Sequence, residues 1–227
     1  MLGDAARGTD DTDLFLVTLR NFDAVAAFSR GGDLLWTLSP TIGSSFAFED
    51  DRAAFYAPHH VSQTAVGATT MRLLLIDDGT YSAGRNCTAF AGRSCFSRAL
   101  ELELDFGTSP PVARRVWEFE APFGGAWARE EGADALNLNG GAVADLPASD
   151  DGGARHRLVA FTNLNRTAAL KDGEDAVVAR LYEVDAAGAA VGAMELALMP
   201  KYGDAGHFRA LPAASLYGER AACPLDL

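Results

Sequence analysis

Phe55-Tyr-Ala-Pro-His-His-Val-Ser-Gln63 leads, after a short polar step, into Met71-Arg-Leu-Leu-Leu-Ile76 and then Asp77-Asp78-Gly79. The aliphatic run is too short for a stable helix and is closed by an Asp-Gly turn, which reads as a buried strand. Two of the chain's four histidines stand side by side at its mouth. Imidazole changes charge near neutral pH and serves as nucleophile, base or ligand, so a histidine pair beside a rigid sheet is a natural place for chemistry. Adjacent histidines also occur on ordinary surfaces, so the rest of the chain has to give the pair its meaning.

Working outward, the same pattern recurs. Upstream, Asp13–Leu19 and Asp23–Ser29 read as strands, and the turn Arg30–Asp33 leads into Leu34–Ser39, which Pro40 stops. Downstream, Ser97–Asp105 alternates apolar and charged residues as a half-exposed strand does. The loop Phe106–Pro111 then turns into Ala113–Glu120, closed by Pro122. A third unit runs from Arg157–Thr162 through Ala176–Asp185 and the turn at Gly188 to Val191–Met199 and Pro200. The three closing prolines are about 80 residues apart. Trp36 and Trp117 occupy matching places in the repeat and read as core.

These repeats predict an all-β chain, a partial β-propeller of about three to four antiparallel blades. A β-sandwich with meanders is the alternative. The usual blade period is nearer ~40–45 residues, so the longer spacing requires large loops or additional strands. Blade-like units are expected at about 13–40, 55–122 and 134–200 within a single domain, 1–227. A disordered or truncated start is expected over 1–12, and a closing segment over 201–227. Helices should be few, because the Ala-rich stretches near 134–146 and 186–196 lack caps and a sustained helical period.

Composition narrows the function classes. The net charge of −12 disfavours a nucleic-acid backbone or an anionic membrane surface as partner. An anionic substrate would therefore need a local cluster of Arg, Lys or His. No apolar run approaches the ~18 residues of a membrane span. The first ten residues lack the apolar core of a signal peptide, as they would if the true N-terminus were absent. The three cysteines form no CxxC, which argues against a zinc ribbon or a thioredoxin-type motif. Cys87 and Cys95 are spaced to close a loop by a disulfide in an oxidising compartment. Asn86-Cys-Thr88 and Asn165-Arg-Thr167 are glycosylation sequons, and together these features favour the secretory pathway or the exterior. Asp10–Asp13 and Asp150–Gly152 do not match a calcium loop, and His59 with His60 lack a third ligand at a zinc spacing. No cofactor or metal is expected.

Several of these motifs, taken in order, resemble the PAPS-independent arylsulfate sulfotransferases, the arylsulfotransferase propellers. Thr18-Leu-Arg20 is similar to that family's small-residue-x-Arg at a strand end, and Leu35-Trp-Thr-Leu38 to its hydrophobic-Trp-x-Leu. Phe55 to His60 stands where the family has Phe and then Gln-His-Asp or Gln-His-Thr, and Asp77-Asp78-Gly79 where it has Asp-Asn-Gly. Ser97-Arg98 to Asp105, Val116-Trp-Glu-Phe119 and His207-Phe-Arg-Ala210 resemble three further family motifs. The likeness extends over residues 13–212 or so, nearly the whole chain.

The resemblance implies transfer of a sulfuryl group from an aryl sulfate to a phenolic acceptor through a sulfohistidine. His59 stands at the nucleophile's position and Arg20 at that of the anion-stabilising arginine. His60, Asp77, Asp78, His207 and Arg209 are candidates for supporting roles. There are departures: Pro58 replaces the family's Gln, His60 replaces Asp or Thr, and no histidine precedes His59. The resemblance thus implies the C-terminal half of such a protein, with the N-terminal blades missing and a partner or second copy completing the ring. A non-catalytic propeller fragment acting as a binding module is the alternative. For each residue a structural role competes with the functional one: a partly buried histidine for His59, a surface ion pair for Arg20, and plain turn residues for Asp77 and Asp78.

Overall fold

The aliphatic run forms β6 (Thr70–Asp77), which is buried on both faces from Leu73 onward. The structure, a computed structural model, describes residues 14–79, 97–120, 141–146, 155–162 and 176–198. In it β6 lies between β5 (Pro58–Val66) and β7 (Arg98–Asp105), and β8 (Val112–Glu120) follows β7. The two-residue β4 (Ala47–Phe48) pairs parallel to β8 and completes a five-stranded sheet whose other pairings are antiparallel. A three-stranded antiparallel sheet holds β1 (Leu14–Leu19), β2 (Ala24–Ser29) and β3 (Leu34–Leu38) in sequence order. A four-stranded antiparallel sheet holds β9 (Gly141–Asp145), β10 (Arg157–Thr162), β11 (Ala176–Val184) and β12 (Ala190–Leu198). Among the described residues the only helical segment is the 3-10 turn Arg20–Phe22, and no helix is long and apolar enough to cross a membrane.

The five-stranded sheet is the middle layer. Val25, Ala27, Trp36 and Leu38 of the three-stranded sheet share one apolar cluster with Leu73, Leu75, Leu100 and Leu102. Leu74, Ile76 and Ala99 share another with Val143, Val159, Phe161 and Tyr182 of the four-stranded sheet. Successive strand residues point to opposite faces, so a strand covered on both sides must be apolar at every position. That is why residues 73–76 do not alternate.

β7 corrects the expectation of a half-exposed strand. Its residues Arg98 to Glu101 are all buried, and Glu101 faces the four-stranded sheet instead of water. Glu101 pairs with Arg157 of β10 at 2.8 Å and accepts a hydrogen bond from Thr64 at 2.7 Å. Arg157 also reaches Asp145 at 3.1 Å and lies over the Trp117 ring, 4.1 Å from its centroid. Glu101 thus forms an ion pair between layers, whereas Arg98, Glu103 and Asp105 pair with charges of β6 and β8 in their own sheet. Trp36 and Trp117 are buried, in opposite clusters.

Gly141, the first residue of β9, is closely flanked by its own sheet and by β6. A Cβ there would sit 2.6 Å from the Ala160 carbonyl oxygen and 3.2 Å from Ile76 Cγ2. The contact is with backbone, so a neighbouring strand would have to move. Gly141→Ala should destabilise the chain by about 1–3 kcal/mol, the range for overpacking a core, as read from urea unfolding. A change within about 0.5 kcal/mol, the ordinary surface range, would contradict this packing.

Candidate active site

The turn after β1 and the start of β5 are tied together by a buried carboxylate. Asp23 follows the 3-10 turn with φ 49°, in the left-handed region, and its Oδ1 accepts a hydrogen bond from the Ala57 N–H at 2.9 Å. Ala57 also has a left-handed φ, 50°. L-residues adopt this conformation at a cost of order 1 kcal/mol, and the buried hydrogen bond offsets part of it. The contact fixes where β5 begins, and so where Pro58 and His59 stand.

β5 then bulges. His59 is opposite Ile76 and Ser62 opposite Leu74, so His60 and Val61 together face Leu75. His60 is the bulged residue, with φ 48°. Bulges re-aim side chains and are over-represented near functional sites. The His60 ring is turned toward the four-stranded sheet, where its Nδ1 accepts a hydrogen bond from the Val143 N–H at 3.0 Å. With its lone pair used at Nδ1, a neutral His60 carries its proton on Nε2. Its role is to join β5 to β9 rather than to meet His59.

His59 instead meets residues from two other strand ends. Its Nε2 lies 3.0 Å from Arg20 Nε and 3.0 Å from Asp78 Oδ2, and Arg20 Nη2 is 3.5 Å from the same carboxylate oxygen. Arg20 is about one-third exposed, His59 is 14% exposed and the Asp78 side chain is fully buried. Asp78 Oδ1 is buried with no hydrogen-bond partner. Its main-chain oxygen accepts from Ser97 Oγ at 2.5 Å. Burial pushes the Asp78 carboxyl up to about 6, and the neighbouring Asp77 adds to that, while His59 and Arg20 act in the opposite direction.

Asp77 is a buried part of the support. Its Oδ1 accepts from the Tyr56 and Gly79 N–H groups at 2.9 Å each, and its Oδ2 from Arg98 Nε at 2.9 Å. Burial pushes the Asp77 carboxyl up, and Arg98 with the two N–H groups opposes it. Arg98, directly across from Asp77 in the β6–β7 pairing, is fully buried. It also reaches the Ala54 carbonyl at 2.6 Å and Glu118 at 2.7 Å. Arg52 bridges Glu118 and Glu120 at 2.5 and 2.6 Å. The segment 52–57 is therefore clamped onto the five-stranded sheet by side chains of β6, β7 and β8.

The structure brings Arg20, His59 and Asp78 together and places Asp77 directly behind them, bonded to backbone. His207, Arg209, Cys87, Cys95, Asn86 and Asn165 lie outside the described residues. Arg98 is an interior residue with three acceptors. Arg52, Glu118 and Asp23 were not legible as site supports. Their only sequence signal is a charge next to apolar strand residues, which ordinary surface charges share. His156 is half-buried and contacts Glu183 at 2.6 Å, on the other side of the molecule's middle layer. Among the described residues no three or more His, Cys, Asp or Glu side chains gather as a metal site would need.

Chemically, the cluster offers an imidazole with a guanidinium and a buried carboxylate on the same nitrogen. A guanidinium stabilises anionic oxygen, and an adjacent carboxylate orients an imidazole and stabilises its cation. A carboxyl whose pKa is raised in the folded chain favours folding below its unfolded value and loses that contribution as pH rises through the folded value. For Asp78, with a folded value about 6, stability should decline between pH 4 and pH 7 by up to roughly 3 kcal/mol. Urea unfolding across that range should show the Asp78→Asn variant gaining stability relative to wild type as pH rises. A difference that stays constant with pH would contradict the buried, hard-to-ionise carboxyl.

Comparison of the chain with protein-family models, with curated proteins and with solved structures found no match.

Proposed function

We propose that this chain is an arylsulfotransferase-like protein in which His59 carries a sulfuryl group between an aryl sulfate and a phenolic acceptor. The observation that supports it is the meeting of Arg20 and His59 at 3.0 Å, from positions 39 apart in sequence, beside a buried carboxylate. A sulfate monoester is anionic and the chain as a whole is strongly acidic, so a substrate site needs a local cation. Arg20 supplies it next to the nucleophile.

In the first half-reaction an imidazole lone pair attacks sulfur. The sulfur–oxygen bond to the aryl group breaks, and its electron pair leaves on the phenolate. Arg20 stabilises the charge on the sulfuryl oxygens and the leaving oxygen. In the second half-reaction the acceptor's phenolic oxygen attacks the same sulfur, the nitrogen–sulfur bond breaks and its electron pair returns to His59. The acceptor's proton passes to solvent. Covalent catalysis divides the transfer into two easier steps. In the same reading the three antiparallel sheets, stacked face to face, are blades of a partial propeller.

One observation favours a second reading, a non-catalytic fragment that binds a partner. Phe15, Val17 and Leu34 of the three-stranded sheet are 38–58% exposed, an apolar surface facing away from the middle layer. The two readings separate in one experiment. Incubation with an aryl sulfate should add the mass of one sulfuryl group to the intact chain, and His59→Ala should abolish the adduct. Arg20→Gln should slow its formation by about 10²-fold or more, the usual cost of losing a charge-stabilising donor. No adduct on the wild-type chain, or one that survives His59→Ala, sinks the sulfuryl-transfer reading.

A further inference from the structure

Among the described residues, β5 is the last strand of the five-stranded sheet and β9 the last of the four-stranded one. Two sheet edges therefore meet where His60 stands. In an antiparallel pair a strand directs its N–H groups alternately toward one side and the other. β9 has β10 on one side. The Val143 N–H is turned away from β10, and it donates to His60 Nδ1 at 3.0 Å. A side chain thus takes the place that a neighbouring strand's carbonyl would have. The bulge makes this possible. His60, with φ 48°, is one of two residues opposite Leu75, and its ring reaches across to the next sheet.

A backbone carbonyl keeps its lone pairs at any pH, but an imidazole nitrogen does not. Nδ1 accepts only while the ring is neutral; the cation carries N–H at both nitrogens and presents a donor to a donor. The folded chain therefore favours neutral His60, and the tie is lost as pH falls through the ring's titration. The Val143 N–H then loses this acceptor, and an edge with bare N–H groups is the part of a sheet that pairs with other chains. Besides His60, the strands β5, β6 and β9 carry four ionisable groups. His59 is held by Arg20 and Asp78, while Arg72 and Asp77 of β6 pair with Glu103 and Arg98. Asp145 of β9 pairs with Arg155 and Arg157, and Arg157 also with Glu101 of β7. None of these supplies the acceptor that Val143 uses.

We propose that His60 is a pH-sensitive latch: its neutral ring caps the outer edge of β9, and protonation releases that edge from β5. The latch is independent of the sulfuryl-transfer reading, because it uses neither the chemistry of His59 nor a substrate. His60→Asn separates titration from structure. The amide oxygen stands two bonds beyond Cβ, as Nδ1 does, and accepts at every pH. Asn also tolerates the left-handed conformation that the bulge imposes.

The test is amide hydrogen exchange at Val143 in the full chain, expressed as protection relative to the intrinsic rate at each pH. Imidazole changes charge between about pH 8 and pH 5. Over that range wild type should lose protection at Val143 by about tenfold or more, the effect of stranding a buried donor. His60→Asn should hold its protection throughout, and His60→Ala should lack it throughout. Unchanged protection in wild type, an equal fall in His60→Asn, or protection that survives His60→Ala overturns the latch. A second measurement needs no variant. The nitrogen–nitrogen coupling across the hydrogen bond from the Val143 amide to His60 Nδ1 should be seen in wild type at the upper pH and vanish at the lower. Its absence at the upper pH, or its persistence at the lower, also overturns the latch.

Discussion

The buried pair of Asp77 and Arg98 is the interaction on which the candidate site depends. Neither side chain touches water to any useful extent, and removing two charges from solvent costs several kcal/mol per ion. Such a pair persists only when its remaining hydrogen-bonding capacity is filled. Here the N–H groups of Tyr56 and Gly79 converge on Asp77, while the Ala54 carbonyl and Glu118 take the other Arg98 donors. These partners belong to the segment before β5, the turn after β6, and β8. The pair thereby fixes both chain segments that deliver His59 and Asp78. Arg20 arrives separately, through the turn that Asp23 ties to Ala57.

Stacking three sheets makes this possible. The stretch of β6 covered on both sides, Leu73–Ile76, has no solvent face and is uniformly apolar, and the buried residues Arg98 and Glu101 of β7 have to be neutralised. Arg98 is neutralised within its own sheet, against Asp77 and Glu118, and Glu101 toward the four-stranded one. Gly141 stands where β9 is closely flanked by β10 of its own sheet and by Ile76 of the middle layer. The site sits where the strand ends of the first two layers meet, so it inherits their rigidity.

Much of the all-β character was legible in the residues, and the strand pattern around Leu34–Leu38, Thr70–Asp77 and Val112–Glu120 follows it closely. β7 was legible as a strand and misread in its surroundings. Alternation of Leu and Glu has the same appearance whether the acids face water or a buried arginine 56 positions away. β5 and β9 were harder to see. Pro58, two histidines and a bulge break the period of the first, and the second is five residues of Gly, Ala, Val and Asp. His59 and Arg20 stood out as candidates, but the partner of His59 is Asp78, which turn chemistry alone would leave exposed. Only the three-dimensional path of β6, ending beneath β5, buries it.

A double-mutant cycle on Asp77 and Arg98 tests most directly whether the pair organises the site. Asp77→Asn, Arg98→Met and the double variant would be compared with wild type by urea unfolding at pH 7. Breaking a buried pair strands the remaining charge, so each single variant should lose about 3–5 kcal/mol. The double variant should recover part of that loss, giving a coupling of about 1–3 kcal/mol. Single losses that simply add, within about 0.5 kcal/mol, would show that the two side chains do not depend on each other, and would contradict the account.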